Sequence, residues 1–107
     1  MLLDSLPVVT LIPVAGDVLA PDLSANRAWI VQMPAGNITI ANPINAQPGN
    51  HLFLVIIQDS IGARLVTWGT VFKKLLTLSV TANARDSVSY WWVGVNMNQF
   101  GSALAIA

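Results

Sequence analysis

Residues 51–58 read HLFLVIIQ, an apolar run rich in branched and aromatic side chains, and it follows a loop gathered from Pro43, Asn45, Pro48, Gly49 and Asn50. Such a run between turn signals predicts a buried strand. In ARLVTW, Leu65 and Thr67 alternate with Val66 and Trp68, the period of two that marks a strand with one face in the core. DSIG between the two reads as a tight hairpin turn, because Asp59 can accept hydrogen bonds from amides ahead of it and Gly62 can take a positive φ. The same reading places strands over 28–33, 37–41, 75–80, 87–95 and 103–107. It leaves at most a turn of helix in 20–28, with 71–74 a weaker candidate. Short strands separated by turns about every 8–12 residues predict an all-β fold, a small antiparallel β-sandwich or jelly roll. No internal repeat or low-complexity segment stands out.

The opening MLLDSLPVVTLIPVAG is set apart. Pro7 and Pro13 bar a helix, bias Leu6 and Ile12 towards extended geometry and remove two amides from any ladder. Residues 1–16 are therefore expected to be an extended N-terminal arm or first edge strand, followed by one sandwich domain over 17–107. Leu2, Leu3, Leu6 and Val8 favour burial by roughly 1.5–3 kcal/mol each when covered, which makes them interface candidates. Either the chain's own sheet takes them up from Val8 onward, or a neighbouring subunit covers them. The longest unbroken apolar run, Leu52 to Ile57, is too short for a membrane-spanning helix. Asp4 and the two prolines also spoil the opening as a secretory signal. With no cysteine there are no disulfides, which suits assembly in a reducing cytoplasm.

Charge changes the picture further. Five Lys and Arg balance five Asp, Glu is absent, and charged residues make up 9% of the 107 residues against about 25% in ordinary domains. Lys73 and Lys74 are the only adjacent cations, so no phosphate-neutralising patch is present and nucleic acid is not an expected partner. A small domain this apolar leaves surface for subunits to cover, and a homo-oligomer is expected. Trp91 and Trp92 are consecutive in a strand and must point to opposite faces. The outward one is an interface anchor or a stacking platform for a sugar.

Catalytic chemistry is sparse. His51 is the sole histidine, no nucleophile elbow accompanies it, and Asp17 and Asp22 lack the close oxygen spacing of a calcium loop. Glycoside hydrolysis needs a carboxylate pair around the scissile bond, which five scattered Asp residues do not offer. No enzyme, metal or cofactor site is expected. Asp59 and Arg64 flank the turn and can pair across it for roughly 0.2–1 kcal/mol. The alternative for these groups is a surface ligand site in which Arg64, or Arg85 with Asp86, binds a sugar or a partner protein.

Taken together, Asp22-Leu23-Ser24, then Asn37, Thr39, Asn42, Pro43 and Asn45 as N-x-T-x-x-N-P-x-N, then Gln58, Asp59, Gly62, Arg64, Val66, Thr67, Trp68 and Gly69 as Q-D-x-x-G-x-R-x-V-T-W-G, and finally Ala82 and Asp86 before an aromatic strand, resemble a β-rich module of tailed-bacteriophage virion proteins. The resemblance spans about residues 16–95. It implies a structural protein of the virion, assembled in the host cytoplasm, with QDSIGARLVTWG as the central hairpin and Trp68 in the core. The chain's length and initial Met favour a free-standing capsid decoration (cement) protein, a homotrimer bridging subunits of the major capsid protein. The alternative is a receptor- or glycan-binding module of a tail fibre or spike.

Overall fold

The computed structural model describes residues 8–25, 28–73 and 77–106. The chain winds between two sheets. From β1 (Val8–Leu11) it crosses to β2 (Val18–Leu19), returns as β3 (Ala28–Gln32), crosses to β4 (Ile38–Ile40), returns as β5 (His51–Ile57) and crosses to β6 (Val66–Trp68). The odd strands stack in parallel, with Val8 beside Ala28 and Ala28 beside Phe53. The even strands stack in parallel as a second sheet, β2-β4-β6. These are three coils of a β-solenoid. After the short β7 (Phe72–Lys73), β8 (Arg85–Trp92) lies antiparallel on β5, and β9 (Met97–Ile106) lies antiparallel on β8 and parallel to β7. The first sheet thus has six strands in the order β1-β3-β5-β8-β9-β7.

Because successive side chains of a strand alternate between faces, stacking in register turns that alternation into rows. Val9, Trp29, Leu54 and Val88 form one inward row; Leu11, Val31 and Ile56 form the next. From the second sheet Leu19, Ile40 and Trp68 face them. Where the solenoid meets the β8-β9 hairpin, Trp68, Phe72 and Tyr90 interlock with ring centroids 5.0–5.8 Å apart. Offset and edge contacts of this kind add about 0.5–1.5 kcal/mol per pair beyond burial.

The expected antiparallel sandwich or jelly roll is overturned by this topology. A strand in a parallel stack carries the same alternation as one in a hairpin, and only its hydrogen-bonding partner differs. β5 and β6 are not a hairpin: they belong to different sheets, and residues 58–65 form the corner between them. Residues 77–80 form no strand. The capsid-decoration reading, drawn from the chain's length and the resemblance, is corrected as well, because a β-solenoid is not the sandwich or jelly roll expected of such a decoration module. The first two coils correspond in space, Val18 beside Thr39 and Leu19 beside Ile40, a correspondence that sets Pro13 and Pro34 at equivalent corners. Coils are joined there by Gly16 N–H to Asn37 O (2.8 Å) and Thr39 N–H to Asp17 O (2.9 Å). Val8 is exposed on β1, the edge strand of the first sheet, whereas Leu2, Leu3 and Leu6 lie outside the described residues.

Candidate functional site

The motif residues gather in two places, and both are joints of the scaffold. Gln58 is buried, and its side-chain amide closes the 58–64 corner from both ends. It accepts from Arg64 N–H (3.1 Å) and donates to Arg64 O (2.8 Å) and Ser79 O (3.1 Å). Asp59 Oδ1 accepts from the amides of Ile61 (3.2 Å) and Gly62 (2.7 Å), while Oδ2 takes Arg64 Nε at 3.0 Å. Gly62 has φ +87°, and a Cβ there would run into the backbone of residues 80–82. That overlying segment is held by Asp86, whose buried carboxylate accepts from Ser79 N–H (2.6 Å) and Ser79 Oγ (2.8 Å).

The second joint links the coils. Asn42 accepts from Val71 N–H (3.1 Å) and donates to Thr70 Oγ (3.3 Å), and its side chain occupies the space a Cβ on Gly69 would need. One coil earlier, Asn45 donates to Asp22 (3.1 Å), which also takes the Ser24 hydroxyl. Pro43 is half-buried beside Asn42. QDSIGARLVTWG is thus a stapled corner leading into a strand. The ligand site imagined for Arg85 with Asp86 does not form, because neighbours in β8 point to opposite faces and Asp86 points inward. Arg64, for its part, is tied to Asp59.

Asp59 and Asp22 are held below the usual carboxylate range by their hydrogen bonds. The Gly62 amide, with help from Arg64 and Ile61, holds Asp59 below its ordinary 3.8; the Ser24 hydroxyl, the Asn45 amide and the Ser24 N–H do the same for Asp22. A carboxyl depressed in the folded state contributes stability above its unfolded pKa and loses it as pH falls through the folded value. The melting temperature should therefore drop once pH falls below about 4. Asp59→Asn should start lower at neutral pH and fall less, so that the two curves converge in acid; parallel curves would show that Asp59 carries none of this dependence.

The outer face of the six-stranded sheet is different in kind. Tyr90 is fully buried, so Trp91 points outward with 42% of its surface exposed, while Trp92 packs against the core. Register sets His51 opposite Trp91, Trp91 opposite Asn98 and Asn98 opposite Lys73. These four residues make one cross-strand row over β5, β8, β9 and β7. Phe53 extends the aromatic surface, its ring 5.8 Å from that of His51. His51 is exposed rather than tucked into the core. Phe53 and Asn98 escaped notice in the sequence because only register reveals their neighbours. An exposed indole flanked by imidazole, amide and ammonium groups can stack on an apolar ring face while hydrogen-bonding its rim.

Among the described residues no group of His, Asp or Glu is arranged to hold a metal ion, and no helix is long and apolar enough to cross a membrane. Comparison with protein-family models, curated proteins and solved structures returns no match.

Proposed function

We propose that this chain is a β-solenoid module of the tail-fibre or spike type, binding a receptor glycan on the outer face of its six-stranded sheet with Trp91 as the stacking platform. The observation that carries the reading is the outward row His51, Trp91, Asn98 and Lys73, in which the Trp91 indole is 42% exposed. A solenoid grows along one axis, coil upon coil, and presents long regular surfaces, which suits an elongated fibre or spike. The resemblance of the Q-D-x-x-G-x-R-x-V-T-W-G block to phage virion modules points the same way.

Trp91→Ala tests it. Aromatic anchors at binding faces commonly cost 2 kcal/mol or more on truncation, so saccharide affinity on a glycan array and by titration calorimetry should fall at least about tenfold. The half-exposed position should leave the melting temperature within a few degrees. An intact wild-type protein that binds no saccharide on the array refutes the proposal.

A further inference from the structure

The chain is neutral overall, yet its charges are not evenly placed. All four described carboxylates lie away from the outer face of the six-stranded sheet. Asp86 is buried beneath it against Ser79, and Asp59 sits in the 58–64 corner against Arg64. Asp17 accepts from Val14 N–H, and Asp22 from Ser24 and Asn45. The outward rows hold Val8, Ala28, Phe53, Ser89 and Gly101, then Thr10, Ile30, Val55, Ser87 and Ala103, with no acid among them. Among the described residues the charged side chains there are two cations. Lys73 ends the Trp91 row, and Arg85, exposed and opposite in parity to Asp86, stands beside Ile57. Among the described residues no carboxylate pairs with Lys73, whose ammonium makes only a 3.5 Å contact with Thr70 O.

From this placement we infer that the glycan taken by this face is acidic, a carboxylate-bearing saccharide whose charges meet Lys73 and Arg85 while one ring stacks on Trp91. The inference rests on the proposed glycan-binding role. Trp91 stands six positions along β8 from Arg85, roughly 20 Å at about 3.3 Å per residue, and Lys73 lies two strands further across at about 4.8 Å each. The two cations therefore bracket a span of several sugar units, and a repeating uronic or sialic acid polymer supplies carboxylates over that length. A neutral glycan leaves both cations unanswered.

The test is an array carrying acidic oligosaccharides, oligogalacturonate and oligosialate among them, beside the same molecules with their carboxyl groups reduced. It is probed with the wild type and with the double variant Lys73→Gln, Arg85→Gln. Wild type should prefer the acidic forms by about tenfold at low salt, and the preference should shrink in high salt because exposed ion pairs are screened. The double variant should lose the preference and keep its melting temperature. Equal binding of acidic and reduced saccharides, still abolished by Trp91→Ala, overturns the acidic specificity and leaves the binding face standing. Binding to no saccharide overturns the glycan-binding role itself, and with it this inference.

Discussion

Gly62→Ala should lower the melting temperature by roughly 10–25 °C. Two costs add. A left-handed φ of +87° strains any residue with a Cβ, by about 1–2 kcal/mol. The new methyl would also strike Val80 O and Ala82 N, and forcing an atom into filled space costs about 1–3 kcal/mol. Gly49 separates the two, since its φ is +91° but nothing lies within 4 Å of a Cβ placed there. Gly49→Ala should therefore cost only the conformational part, about 1–2 kcal/mol. Equal losses from the two variants, read from urea or thermal unfolding, would show that the 80–82 segment does not press on the corner.

Gln58→Leu should cost about 3–5 kcal/mol although the two side chains are close in size. Leucine strands one backbone N–H and two carbonyls: Arg64 N–H, Arg64 O and Ser79 O. Each buried polar group left without a partner costs about 1–3 kcal/mol, which outweighs the gain from an added apolar side chain. Gln32→Leu is the internal control. Its bonds to Met33 O, Ile57 O and Gln58 O run from 3.3 to 3.5 Å at a half-buried site, so it should cost under about 1 kcal/mol. Amide exchange at Arg64 reports the lesion directly, slow in the wild type and fast in Gln58→Leu. Protection unchanged by the substitution would remove Gln58 from its assigned role.

The turn chemistry of Asp59 and Gly62 was legible because it is local: a short carboxylate reaching amides two and three residues on, and a glycine where φ must be positive. What the turn connects was not legible. Alternation along HLFLVIIQ and ARLVTW places one face of each strand inward in a hairpin and in a solenoid alike. Between the coils the sequence carries only a faint correspondence, Pro13 with Pro34 and Ala20 with Ala41 being the identities between residues 12–23 and 33–44, and the third coil abandons it. There the proline corner is replaced by QDSIGAR, and Val66 stands 28 residues beyond its partner Ile38, whereas Thr39 stands 21 beyond Val18.

The candidate binding face divides in the same way. Adjacent tryptophans in a strand must face opposite ways, so that one of Trp91 and Trp92 points outward was settled by the sequence alone; which one depends on whether Tyr90 is inside. His51, Lys73, Trp91 and Asn98 come from four strands scattered over nearly half the chain, and they become a row only through three inter-strand registers. The strands at 28–32, 38–40, 51–57 and 66–68, the turn residues and the scarcity of charge were thus legible in the sequence itself, because each depends on a residue and its near neighbours, whereas β2 and β7 were missed and the strand expected over 75–80 is absent at 77–80. Parallel coiling, the inward direction of Asp86 and the assembly of the outer row were decided only by tertiary structure, because hydrogen-bond partners 20 or more residues apart leave no mark on local periodicity.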